Sequence, residues 1–477
     1  MQTLIPSPVT AAAHPKGKRL GRLLGFGATP RLLLLLAASV LLSIPAFLAS
    51  RTPWLMFGFD ALLLGTFVVD ALLLPAPERF QLTRRFLHAP ELGTSTAIEL
   101  QATKSASGIH TLLFTDDLHV SMLLPQLIGT MVSYPNEPLA VGYMATPSQR
   151  GDLALGKLYF RYRSAIGFAE RWAVADLRQT IRVYAAGEQA NESSELFLLR
   201  ARQIELEKRR LRRIGLGREF EQLREYRTGD ELRNISWKAT ARHNRLITQQ
   251  FTTERSQQVW IVLDAGRLSR TTFALGKTSA ANGEEDATQI VTQLDQAASA
   301  AGQLARVIQQ SGDRSALLTY GRSVQQQLLP SSGTLHLRRM IDALSQVCSE
   351  TAEADHLMAS VSLRQLQRRR GLVLWITEMT ESAGRPEIMA AVSGLVRRHL
   401  VVLVLLQQPE LEALASSSPK NAQEMYAITA AQEMRDRRRT LLAQLRSQGV
   451  LVVETSAANV ASDSISKYLE VKSQGQL

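Results

Sequence analysis

Leu32 to Ser50 is a run of nineteen residues without a charge, LLLLLAASVLLSIPAFLAS. At 1.5 Å per residue it is long enough to cross about 30 Å of hydrocarbon, and it reads as a transmembrane helix. After Arg51 and Thr52 a second apolar segment runs from Pro53 to about Leu74, interrupted by Asp60 and Asp70. A carboxylate at the bilayer centre costs a few kcal/mol, so each needs a reason to be there. Asp70 lies towards one end and is expected near the interface. Asp60, nearer the middle, is expected to pair against the first helix, a proton relay being the lesser alternative.

Basic residues set the orientation. Lys16, Lys18, Arg19, Arg22 and Arg31 precede the first run, Arg79, Arg84 and Arg85 follow the second, and Arg51 alone lies between. The positive-inside rule then puts both ends and the rest of the chain in the cytoplasm. A cleaved signal peptide is the competing reading of the first run, but a second span directly behind it favours an anchor. One cysteine, Cys348, excludes an intramolecular disulfide framework, and a reducing compartment fits. Cys348 is expected to be a small buried or half-buried residue, because no His motif accompanies it as in a nucleophile pair.

Beyond the membrane segment two patterns follow each other. From about Arg84 to Tyr184, short alternating runs are broken by Gly and Pro; KLYFRYR sets Leu158, Phe160 and Tyr162 on one face and Tyr159, Arg161 and Arg163 on the other. A small β-sandwich is expected. Glu192 to Arg213 has a helical period ending in EKRRLRR. From Gln257 onward, buried-type runs at Val259 to Leu263, Ala316 to Tyr320, Leu372 to Thr377, Leu400 to Leu406 and Val450 to Thr455 alternate with helical stretches. That alternation specifies a mostly parallel, doubly wound sheet, with SVQQQLLP as an antiparallel hairpin partner of the Ala316 strand.

In such a sheet ligands bind at the carboxyl ends of the strands, and the first strand ends VWIVLDAGRLSR. Here the chain resembles a von Willebrand factor A domain, in which a strand ending D-x-S-x-S holds a divalent cation. Asp264 matches, but Gly266 and Leu268 stand where the hydroxyls belong and Ser269 comes one place late. The resemblance implies two further contacts, with Thr334 and Glu378 as candidates. Magnesium wants near-octahedral oxygen geometry, so the degenerate set Asp264, Thr334 and Glu378 is expected to hold no tightly bound metal; a weak divalent cation is the alternative. ALGKTSA, with Gly276, Lys277 and Thr278, lacks the first glycine of a phosphate loop, which would be at Thr271, and the helix that should follow. No nucleophile elbow or paired-carboxylate signature stands out, and the chain is expected not to be an enzyme.

The densest ionic stretch is REYRTGDELRNISWKATAR, Arg224 to Arg242. Asp230 can cap a short helix through Arg233, Ile235 and Trp237, with Trp237 as a buried anchor. RLITQQF and QQVWIVLD are then expected to form a hairpin across TTERS. GREFEQLREYRTGDELRNISWKATAR with the following FTTERSQQVWIVLD resembles the signature of the bacterial family called domain of unknown function 58. The resemblance implies an interaction module of the bacterial inner membrane, paired with a MoxR-type AAA+ ATPase in assembly or chaperone-like maturation. Its signature positions are Arg224, Glu225, Tyr226, Gly229, Asp230, Arg233, Trp237, Lys238 and Arg242, read either as a docking surface or as an internal salt-bridge junction.

Six segments result: a basic tail (1–30), a transmembrane hairpin (31–76), a β-sandwich-like domain (77–190), a basic helical linker (191–215), the signature (216–256) and a von Willebrand factor A-like α/β domain (257–477). With net charge +12, the alternative function is an anionic-lipid or nucleic-acid binder through Lys208, Arg209, Arg210, Arg212 and Arg213. No exposed aromatics interleave with those cations, so nucleic acid is not expected.

Overall fold

A computed structural model describes residues 9–10, 12–13, 26–48, 54–104, 110–123, 129–133, 139–163, 166–185, 199, 203, 219–227, 230, 232–252, 257–277, 288–379, 387–407 and 409–476. The basic stretch from Lys208 to Arg213, Gly229 and Thr278 lie outside them. The chain divides into two units, Met1–Val183 and Tyr184–Leu477.

In the first unit the second apolar segment forms one helix, Trp54–Leu73, long and apolar enough to cross a membrane. The first apolar run is less regular than its composition implies: an α-helix over Pro30–Ser39, a 3-10 turn over Val40–Ser43 and a short helix over Ile44–Leu48. Pro45 has no N–H to give to the carbonyl four residues back, and the Ser39 and Ser43 hydroxyls donate to the carbonyls of Leu36 and Val40. Both features tighten the helix where an unbroken α-ladder was expected. Asp60 Oδ1 is buried without a hydrogen-bond partner.

The rest of this unit is antiparallel. One sheet runs in the order Val9–Thr10, Phe80–Phe86, Thr96–Lys104, Leu139–Pro147, Met122–Leu123; another runs Ala12–Ala13, Ala169–Ala175, Leu158–Arg163, His110–Asp116, Gly129–Ser133, with Phe26–Ala28 also on the Ala169–Ala175 strand. The two share one core, in which Phe80, Leu82 and Leu100 of the first meet Leu112, Phe160 and Tyr162 of the second. Leu158, Phe160 and Tyr162 point inward, as the alternation in KLYFRYR requires. Arg84 is fully buried between the sheets, where its guanidinium bonds both Asp116 carboxyl oxygens and the Leu177 carbonyl. The Tyr143 hydroxyl donates to the same Asp116, and burial drives its pKa far above the usual tyrosine value.

The apolar helices are tied to this β-region through one loop. Gly167 takes φ +77°, a turn that costs glycine nothing, and presents its carbonyl to the Thr29 hydroxyl at 2.6 Å. The next two amides, of Phe168 and Ala169, converge on Asp70 Oδ2 at 2.9 and 2.8 Å. Thr29 N–H bonds the Phe168 carbonyl at 3.0 Å, and the Tyr162 hydroxyl donates to Pro75 O at 2.5 Å. Asp70 is 1% exposed and accepts two successive backbone amides.

In the second unit a six-stranded sheet runs Val324–Ser331, Arg314–Tyr320, Gln258–Asp264, Leu372–Thr377, Leu400–Leu406, Leu451–Thr455, all parallel except the Val324–Ser331 edge. The first strand lies inside the sheet, and later strands are laid outward on one side and then on the other. Alternate residues face opposite layers. Val259, Ile261 and Leu263 pack on the helices Gln293–Gln310 and Val460–Ser473, while Trp260 and Val262 pack with residues of His356–Leu366, Glu387–Val396 and Ala422–Ser447. The Gln293–Gln310 helix begins in a reciprocal cap between Thr292 and Asp295.

The expected hairpin between RLITQQF and QQVWIVLD does not form. Ile247–Thr252 pairs antiparallel with Glu219–Glu225, while Gln258–Asp264 takes parallel partners on both sides. A strand buried on both faces gains more from two apolar neighbours than from the polar TQQFT edge.

Candidate functional site

Reversal of the chain's winding direction between the first strand and Leu372–Thr377 opens a crevice at their carboxyl ends. Asp264, Ser269, Gln293, Leu294, Ala297, Ile376, Thr377, Glu378 and Leu406 line it, around a cavity of about 10 Å³. That is room for one water molecule.

Asp264, Thr377 and Ser269 bond within the crevice, while Gln293 Oε1 is buried there with no hydrogen-bond partner among the described residues. Asp264 Oδ1 accepts the Gly266 N–H at 2.8 Å, and Oδ2 accepts the Thr377 hydroxyl at 2.6 Å. Ser269 donates its hydroxyl to the Gly266 carbonyl at 2.7 Å. Gly266 cannot regain a hydroxyl: a Cβ there would stand 2.7 Å from Ala354 N and 2.8 Å from Ala354 Cβ. Glu378 is buried at the rim, but Thr334 starts the Thr334–Gln346 helix after Gly333 and is not among the lining residues. Gln293 and Thr377, which the sequence did not single out, take part instead, and only their position at a helix start and a strand end marked them. Among the described residues no group of three or more His, Cys, Asp or Glu could hold a metal.

A divalent cation needs about six oxygens with free lone pairs, and this set does not fit it. Titration of the full chain with magnesium or manganese in a calorimeter is expected to give no heat of binding; a dissociation constant in the micromolar range contradicts this account of the crevice.

Below the crevice the Tyr320 hydroxyl accepts the Trp375 Nε1–H at 2.8 Å and lies 2.7 Å from His356 Nδ1, within hydrogen-bond reach. Burial, then the nearby Asp264, pushes the Tyr320 pKa well above its usual value. Burial lowers the His356 pKa below its ordinary 6.5 against the pull of Asp264, Glu387, Asp355 and Glu353; burial and Arg398 lower that of His399. Below pH 6.5 the unfolded chain takes up protons that the folded rings refuse. Stability is then full above that pH and falls as the pH drops through it toward the depressed values. Melting temperature is expected to decline from pH 7 to pH 5, and His356→Gln to flatten part of that slope.

The signature segment builds a small module. Glu219–Glu225 and Ile247–Thr252 form a two-stranded ladder with an irregularity between Phe220 and Gln222. Between them lie a 3-10 turn at Leu232–Asn234 and the helix Trp237–His243, ended by Asn244 at φ +51°. Ile235, Ala239, Ile247 and Thr248 are buried, and Thr240 Oγ1 accepts the Ile247 N–H at 3.0 Å.

Its charged residues divide into two sets. Asp230 accepts the Arg224 guanidinium at 2.6 Å and the Arg227 N–H at 2.9 Å, bonds that hold its carboxyl below the usual range. Asp230 thus binds back to Arg224 and Arg227; Ser236, not Asp230, occupies the cap position of the helix. Glu225 pairs with Arg245, and the Tyr226 N–H bonds the Leu246 carbonyl at 2.9 Å. These contacts lie within the module. Lys238 and Arg242 are exposed and bond to no described carboxylate. Arg233 lies in the 3-10 turn.

Trp237, expected as a buried anchor, is 68% exposed, and Leu232 is 70% exposed. Ala239 takes the inner position instead. Cys348, expected buried or half-buried, is exposed. It follows the Thr334–Gln346 helix in a loop whose amide and carbonyl are held by the Gln325 side chain.

Residues 222–444 match a family model described as protein of unknown function DUF58, a span covering most of the signature module and of the six-stranded sheet. No curated protein matches the chain. Among solved structures it is similar to the conserved hypothetical protein BatB from Bacteroides thetaiotaomicron, at 12% identity over 46% of this chain and 100% of that one, with a TM-score of 0.29. A carbohydrate esterase, described as having an active site with divergent catalytic and non-catalytic binding functions, shares 9% identity over 82% of this chain and 96% of its own, at a TM-score of 0.18.

Proposed function

We propose that this chain, which matches DUF58 over residues 222–444, is a membrane-anchored, non-enzymatic interaction module of the bacterial inner membrane. Both termini and the folded units lie in the cytoplasm, and the chain works with a MoxR-type AAA+ ATPase in assembly or chaperone-like maturation. Residues 257–477 serve as a von Willebrand factor A-like domain without its cation.

Three features support this reading. Trp54, Leu55, Leu62, Leu64, Leu72 and Leu73 are exposed along the Trp54–Leu73 helix, a surface suited to hydrocarbon. Thr29 and Asp70, at the start of one apolar helix and near the end of the other, hold the same loop, which favours a two-pass hairpin with its ends on one side. The carrying observation is the contrast between a crevice of about 10 Å³ and a signature module that leaves Trp237 and Leu232 in solvent. Such a pattern favours contact with another protein over turnover of a small molecule.

The test is co-purification. The full chain, extracted from membranes in mild detergent, is expected to bring with it an AAA+ ATPase encoded by the neighbouring gene. Separate elution of the two, with and without ATP, would overturn the partner assignment.

A further inference from the structure

The Trp237–His243 helix has one face turned into its module and one left open. Ala239 is 7% exposed on the inner side. Outside, Trp237 and Ala241 stand one turn apart, and Lys238 and Arg242 form a second column beside them, all four exposed. The helix carries no acidic residue.

In the same module Arg224 and Arg245 have carboxylate partners, at Asp230 and Glu225. Lys238 and Arg242 have none among the described residues. An indole flanked by cations without internal partners is a common form of interface hot spot: the ring supplies apolar area and the cations supply orientation.

Resting on the docking role proposed above, we infer that the open face of the Trp237–His243 helix binds an acidic protein surface that receives the Trp237 indole in an apolar pocket bordered by carboxylates. Charge complementarity selects that occupant. Residues 219–252 hold six Lys or Arg against five Asp or Glu, so the module as a whole is close to neutral. A bilayer surface sums charges over its plane and attracts such a module weakly, whereas a folded partner can match a two-cation column locally. Single-stranded nucleic acid stacks successive bases on several aromatics, and this face offers one.

The experiment places the photo-reactive residue p-benzoylphenylalanine at Ala241 of the full chain in bacterial membranes, and identifies what is crosslinked on irradiation. The expected product is one defined protein whose crosslinked segment is rich in Asp and Glu. Trp237→Ala should cut its yield at least tenfold and weaken the purified complex by ~30-fold or more, with the melting temperature unchanged because the indole is exposed. The double variant Lys238→Glu, Arg242→Glu should abolish the crosslink, and reversal of the partner's carboxylates should restore it. Crosslinks to lipid, to nucleic acid or to nothing would overturn the inference, as would a complex whose affinity changes less than twofold in both variants. Should the crosslinked protein be acidic but not an AAA+ ATPase, the face stands and the partner assignment falls. Should the ATPase co-purify but remain indifferent to these substitutions, the reverse holds.

Discussion

Asp70→Ala is expected to loosen the apolar helices from the β-region of the first unit. The substitution leaves the Phe168 and Ala169 amides without an acceptor in a place water does not reach, Asp70 being 1% exposed. An unsatisfied buried donor costs roughly 1–3 kcal/mol, so two cost about 2–6 kcal/mol if the loop does not rearrange. Asp70→Asn keeps an acceptor oxygen without the charge and should fall between. Hydrogen exchange of the chain in detergent micelles should show lost protection at Phe168 and Ala169 in the alanine variant, with the Trp54–Leu73 helix still formed. Unchanged protection would mean that the loop is held by Thr29 alone.

Lys472→Ala is the second large effect. Lys472 is 1% exposed on the Val460–Ser473 helix, where its ammonium bonds Asp313 at 2.8 Å and the Ser311 carbonyl. The same Asp313 accepts the Tyr468 hydroxyl at 2.7 Å and the Gln257 N–H at 3.1 Å. Removing the cation leaves a buried carboxylate with neutral donors only, at a cost of about 3–5 kcal/mol. The double change Lys472→Met, Asp313→Leu should not restore full stability, because Gln257 and Tyr468 would then lose their acceptor. Denaturant midpoints and exchange in the Val460–Ser473 helix report both outcomes.

How much of this was legible depends on where each residue finds its partner. The strands Arg314–Tyr320, Leu372–Thr377 and Leu400–Leu406 announce themselves, since a strand buried on both faces is a continuous apolar run. SVQQQLLP was readable as an antiparallel edge because it lies close behind the Ala316 strand. The expected 245–264 hairpin failed because TTERS resembles a tight connection, and nothing local says that Ile247–Thr252 answers instead to Glu219–Glu225. Trp237 shows a related limit: the sequence gives the size of an indole but not which side of a short helix has room for it. Asp70 was the least legible, its two donors lying almost a hundred residues along the chain. At the crevice Asp264 and the missing hydroxyls were legible in the strand's own motif, while the Thr377 bond that engages Asp264 appeared only once the strand ends were set side by side.

The central claim, a chain held by its apolar hairpin with its folded units on the cytoplasmic face, has a native reporter in Cys348, the sole cysteine and an exposed one. Spheroplasts of a bacterium carrying the full chain are treated with a membrane-impermeant maleimide before and after permeabilisation, and labelling is read in the carbonate-washed membrane pellet. The account predicts no label on Cys348 in sealed spheroplasts and full label after permeabilisation. Labelling of the sealed cells, or recovery of the chain in the carbonate supernatant, would contradict it.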